Sequence, residues 1–147
     1  SSIQRIGQYV GQAPVFPSRE AAEAYIREVS VPFGRLSDAQ WRHLTEFSIR
    51  EAEGGWVMRY DPGIAEPFRK SPLVADVDLW SVYDAIVCPT LVVRGAESDL
   101  LLRETALEMG ARGPGARLVE VPEVGHAPML MGPAQIAAIG DFLLEAD

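Results

Sequence analysis

Apolar side chains recur at spacings of three and four early in the chain, at Ala22, Tyr25, Ile26 and Val29, and that period predicts an amphipathic helix with one face inward. Ser18 stands where an N-cap belongs, and Pro32, which has no backbone N–H to give, ends the run. A second helix is predicted behind the S-x-x-Q pattern of Ser37 and Gln40, a capping box, with Trp41, Leu44 and Phe47 on one side and a stop at Gly54 and Gly55. The stretch "WVMRYDPGIAEPF" is irregular, with turns expected at Asp61-Pro62-Gly63 and before Pro67. "DVDLWSVYDAI" then reads as a short helix with Trp80, Tyr83 and Ile86 inward.

The pattern changes near Cys88. "PTLVVRG" is a continuous apolar, β-branched run, the mark of a strand buried on both faces in a parallel sheet. A helix from about Leu101 to Met109 follows, then a "GPG" turn, the strand "ARLVEV", the loop "PEVGHAPML" and a last helix from about Pro133 to Leu144. Its inward positions are expected to be Ile136, Ile139 or Gly140, Leu143 and Leu144. Strand, helix, strand, helix with short connections predicts parallel crossovers in an α/β layer. Two such strands cannot make the sheet alone, because each keeps an unpaired edge and both faces need covering. The remaining strands are therefore expected from outside these residues.

Composition narrows the partners. A chain of 147 residues, 48% hydrophobic and 23% charged, has the balance of a folded globular domain rather than a disordered one. Its formal net charge is −8, its Lys and Arg residues form no stripe, and nucleic acid and anionic membranes are excluded as expected partners. Cys88, the one cysteine, permits no internal disulfide or Cys-based zinc site; it is expected to be a small buried hydrophobe, and the chain to be cytoplasmic. No apolar run approaches the roughly 18 residues needed to cross a bilayer, and no leader pattern precedes Ile3. The start in mid-pattern without a methionine points to a trimmed or proteolysed chain.

The two predicted strand ends carry the chemistry. In open parallel sheets the working residues sit in loops beyond the carboxyl ends of the strands. Asp99 follows the first strand and His126 the second, 27 positions later, the length one strand–helix–strand crossover consumes. A carboxylate accepting the Nδ1 proton of a histidine fixes its tautomer and leaves Nε2 free as a general base, which makes this pair two thirds of a catalytic triad. Helix capping is the plainer role for Asp99, Glu97 competes for the acid role from the same loop, and Ser98 reads as a cap or a supporting hydroxyl. His43 has no second ligand at i+4 and reads as a surface or lid residue, so no metal is expected. Trp41, Trp56, Trp80, Phe33, Phe47 and Met58 are read either as core or as the lining of an acyl pocket, with Met129 and Met131 packing near the histidine.

"CPTLVVRGAESDLL" followed by "VPEVGHAPML" resembles the carboxyl-terminal part of the α/β-hydrolase fold, in which the order along the chain is nucleophile, acid, histidine. The resemblance puts Asp99 on the acid and His126 on the histidine. It implies an α/β fold consisting of the carboxyl-terminal portion of a mostly parallel hydrolase sheet with a helical cap, incomplete as a stand-alone domain. Residues 1–75 would be the cap and 76–147 the strand–helix–strand–helix part of the core. The family's nucleophile elbow, G-x-S-x-G, is missing: none of the nine serines has the flanking glycines, and Cys88 precedes its strand and belongs at the opposite sheet edge. The expectation is thus the cap and acid/base half of a serine-type hydrolase of a small ester, lactone or carbon–carbon substrate. It needs no cofactor, is inactive alone, and associates with a complementary amino-terminal half or with itself. A non-catalytic domain that works by pairing with a partner chain is the alternative reading. The fold also hosts haloperoxidase-like, dehalogenase, epoxide-opening and cofactor-free oxygenase chemistries, among which the nucleophile and oxyanion residues would decide.

Overall fold

Ser18 and Ser37 start the two helices of the amino-terminal part as their positions predict. In the computed structural model, which describes residues 11, 13–66 and 77–145, the Ser18 hydroxyl accepts from the Ala21 N–H at 3.2 Å and opens helix α1, Arg19–Val29. Ser37 accepts from the Gln40 N–H while the Gln40 side chain accepts from the Ser37 N–H at 2.8 Å, a complete capping box at the head of α2, Asp38–Ser48. The chain divides into two units, one of Ser1–Val31 and Leu36–Asp76, the other of Pro32–Arg35 and Val77–Asp147.

The first unit is not purely helical. Strands β1 (Val15–Phe16), β2 (Ile49–Ala52) and β3 (Gly55–Met58) form an antiparallel sheet in the order β1-β3-β2. This corrects the expectation that α2 runs to Gly54 and that the "WVM" stretch is irregular. Ile49 to Ala52 pair with Met58 to Gly55 across a two-residue loop, Glu53-Gly54, in which Gly54 takes φ of +87°, open to glycine without strain. The core gathers Phe16, Ala22, Ile26, Trp41 and Ile49, with Tyr25, Leu44, Trp56 and Met58 packed against it, each large member stabilising by about 1.5–3 kcal/mol. Arg19 and Arg27 cover its aromatic edges, stacking over Trp56 and Trp41. Phe47, expected inward with Trp41, is exposed and stacks on His43, while Thr45 is the buried residue on that turn. Asp61 caps a 3-10 turn, Pro62–Ala65, accepting from the Gly63 N–H at 2.8 Å; the turn expected before Pro67 lies outside the described residues.

In the second unit, strands β4 (Leu91–Gly95) and β5 (Arg117–Val121) pair in parallel, from Leu91 opposite Arg117 to Gly95 opposite Val121. Helix α4, Arg103–Ala111, connects them and seats Ala106 in the interior. Helix α3, Trp80–Asp84, is shorter than predicted; Asp78 accepts from the Trp80 N–H, and the Tyr83 hydroxyl donates to the Met109 carbonyl at 2.6 Å. Cys88 is exposed rather than buried, because it sits in the connecting segment ahead of Leu91 and not in the strand. The last helix, α5, Pro133–Glu145, forms where predicted, but Ile136, Leu143 and Leu144 are exposed rather than inward. Among the described residues, no strand beyond β4 and β5 joins this sheet, so little apolar surface is there for α5 to cover.

Arg112 ties α3 to the end of α4. Its guanidinium lies over Trp80, grips both Asp84 carboxylate oxygens at 2.9 and 2.6 Å, and also reaches Glu108. The hydrogen bonds from Arg112 hold the Asp84 carboxyl below its ordinary value of 3.8. A carboxyl depressed on folding contributes stability that is present above its unfolded value and is lost as pH falls through the folded one. Native protein is therefore expected to melt above Asp84→Asn at neutral pH, the gap closing below about pH 5. Melting curves from pH 7 to pH 3 check this, and a gap independent of pH rejects it.

Candidate active site

β4 and β5 end side by side, and the loops that leave them are joined. The Ala96 N–H donates to the Val121 carbonyl at 2.8 Å, and the Glu97 N–H to the Val124 carbonyl at 2.9 Å. Asp99 and His126 each lie two residues beyond this last bonded pair, on the same rim, and both side chains are exposed, as is that of Glu97. Two residues of extended chain span at most about 7 Å, so each of the two residues lies within about 7 Å of chain of a bonded backbone pair.

Each loop is fixed from beneath. Ser98 is buried and its hydroxyl accepts from the N–H groups of Leu100 and Leu101, the capping role open to it in the sequence. On the histidine side, Val124 and Gly125 are buried, and the Gly125 N–H donates to the Pro32 carbonyl at 2.7 Å. The two loops approach so closely that a Cβ on Gly95 would lie 2.0 Å from the Gly125 carbonyl oxygen. Glycine at the end of β4 is thus a condition of the loop contact.

Arg94 is the residue that pattern reading passed over. It is buried in β4 and donates to the carbonyls of Leu101 at 2.7 Å, Ala96 at 3.0 Å and Ser98 at 3.1 Å, and to the Glu120 carboxylate at 2.8 Å. A signal was available: Arg94 and Glu120 both occupy the next-to-last position of their strands, which parallel pairing sets side by side.

The other candidates lie on other elements. Cys88 lies at the amino-terminal end of β4, the opposite end of the sheet. His43 is on the outer face of α2 beside Phe47, in the first unit. Trp41 is core and Trp56 and Met58 pack on it, which favours the core role for these three, whereas Trp80 is half-buried under Arg112. Among the described residues, no group of three or more His, Cys, Asp or Glu side chains gathers as metal ligands. No helix among them is long and apolar enough to cross a membrane.

Residues 4–139 match the model of the alpha/beta hydrolase family. The chain is 46% identical over 154 aligned positions to the 3-hydroxybutyrate-oligomer hydrolase of Cupriavidus necator, covering 99% of this chain and 53% of that protein. Among solved structures it is similar to an alpha/beta hydrolase from Novosphingobium aromaticivorans, with 38% identity and a TM-score of 0.83 over 97% of this chain and 51% of the other. A Rickettsia typhi protein is 28% identical with a TM-score of 0.86, over 99% and 49% of the respective chains. The chain thus spans about half the length of each of these relatives.

Proposed function

Since this chain belongs to the alpha/beta hydrolase family, we propose that it provides the acid and base of a serine-type ester hydrolase, His126 as the base and Asp99 as its carboxylate partner. The observation that carries this is the joining of the two loops beyond β4 and β5, which sets residues 99 and 126 on one rim. In the proposed reaction a serine hydroxyl attacks the ester carbonyl carbon while His126 Nε2 takes its proton. The ester C–O bond then breaks, His126 gives the proton to the departing alkoxide, and water repeats the sequence to free the acid. Asp99 accepts from Nδ1–H, holds the ring in the useful tautomer and stabilises the imidazolium.

The serine belongs to a complementary half outside these residues. Support comes from the missing elbow, from relatives about twice as long, and from apolar side chains left exposed on α5. The first unit takes the part of the cap, and the single cysteine suits a reducing cytoplasm. The substrate class is a small ester of a hydroxy acid, supported by the 46% identity to a protein named for hydrolysing 3-hydroxybutyrate oligomers.

The assembled enzyme, this chain together with its nucleophile-bearing half, is expected to release acid from linear 3-hydroxybutyrate dimer and trimer, and residues 1–147 alone to release none. Titration of liberated acid checks both. Turnover by residues 1–147 alone would place the nucleophile inside the chain and reject the division of labour. An assembled enzyme inert towards these oligomers and towards p-nitrophenyl esters would reject ester hydrolysis.

A further inference from the structure

We propose that Arg94 is a positioning residue that shapes the loop carrying Asp99 around its buried guanidinium. The inference rests on the reading of Asp99 as the acid. Arg94 is 4% exposed, and four hydrogen bonds leave the three nitrogens of its guanidinium. Three of them end on loop carbonyls, at residues 96, 98 and 101, so the loop bends round a single planar group. The carbonyl of Ser98 belongs to the peptide unit that enters Asp99, and it is held from Nη2 at 3.1 Å. Glu120, on the neighbouring strand, fixes the guanidinium in turn at 2.8 Å. The Ser98 hydroxyl completes the bracket by accepting from the N–H groups of residues 100 and 101.

Stability alone is a poor reason for this arrangement. Taking a guanidinium out of water costs several kcal/mol, and a well-packed apolar side chain of similar volume commonly does as well or better. What an apolar side chain cannot supply is a rigid fork of five N–H donors that sets three carbonyls at fixed directions. Lysine, a point charge on a flexible stem, cannot reproduce it either. The loop therefore takes its shape from a group in the strand beneath it, and that shape determines where the carboxylate of Asp99 projects towards the histidine loop.

The test is a pair of double-mutant comparisons in the assembled enzyme, with kcat expressed per folded molecule by circular dichroism. Arg94→Lys is expected to lower kcat on an ester substrate by up to about 10²-fold with KM unchanged, the scale of a 1 Å misplacement. Asp99→Asn should lower it by about 10⁴-fold. In the Asp99→Asn background, Arg94→Lys should then change kcat by no more than about twofold, because the carboxylate it positions is gone. Glu120→Ala, which loosens the same clamp from a half-exposed position, should behave likewise with a smaller fall and serves if Arg94→Lys does not fold. Equal losses in both backgrounds, or a native kcat per folded molecule in Arg94→Lys, would overturn the inference while leaving the acid assignment intact. A native kcat in Asp99→Asn would overturn the acid assignment, and this inference with it.

Discussion

His126→Ala is expected to reduce kcat for ester hydrolysis by the assembled enzyme by about 10⁶-fold while leaving the fold unchanged. The proposed histidine moves the proton in both halves of the reaction, so its removal disables attack and departure together. The side chain is exposed on the rim, which keeps the structural cost of truncation within about 0.5 kcal/mol, the ordinary range for surface positions. The melting temperature should therefore hold while turnover disappears. His43→Ala supplies the control, since His43 stacks on Phe47 on an exposed face of α2 in the other unit, and its kcat should be native. Initial rates on a p-nitrophenyl ester decide the matter, and a His126→Ala enzyme within tenfold of native would remove His126 from the mechanism.

The rim was legible in the sequence because period and punctuation agreed there. The β-branched run up to Gly95 and the run up to Val121 both read as strands, and the parallel pairing they take sets their following loops on one edge. The serine caps were legible for the same reason: Ser18 and Ser37 stand directly ahead of apolar residues at helical spacing. The β2–β3 hairpin was not. Its loop, Glu53-Gly54, lacks the usual Asn-Gly or Asp-Gly signal, and β2 continues without a break from a helix whose capping box drew attention to the wrong period. The exposure of α5 was missed on a different ground. Ile136, Leu143 and Leu144 are apolar as a buried helix face should be, but a pattern records which side chains favour burial and not whether a partner surface lies within the same stretch of chain. Arg94 was missed because a charge at the end of a strand is ordinarily solvated; its match with Glu120 hints at an ion pair, but the three loop carbonyls around it are visible only in the fold.

Gly95→Ala should be the most damaging single methyl group that can be added to the second unit. A Cβ there would sit 2.0 Å from the Gly125 carbonyl oxygen, 2.4 Å from that of Val124 and 2.8 Å from the Val124 carbonyl carbon. Ordinary carbon–oxygen contacts fall at about 3.3–3.6 Å, so the histidine loop would have to retreat by more than about 1 Å. It has little freedom to do so. The Val124 carbonyl is held by the Glu97 N–H, and the Gly125 N–H is held by the Pro32 carbonyl, so retreat breaks or stretches both bonds. The clash is backbone on side chain at a buried strand end, where no rotamer change relieves it, and a cost of about 3 kcal/mol or more is expected. That is a large part of the stability of a typical domain and corresponds to a fall of about 10 °C in Tm for a chain of this size. Any folded remainder should also lose turnover, because the displaced segment carries His126. Gly140→Ala, on α5, is the matched contrast: its Cβ would meet nothing within 4 Å, and replacing a helical glycine there should raise stability by about 0.5–1 kcal/mol. Thermal melts of the two variants separate a steric effect at the loop junction from a general intolerance of substitution. A Gly95→Ala protein that melts with the native one would mean that the two loops do not meet as closely as the proposed chemistry requires.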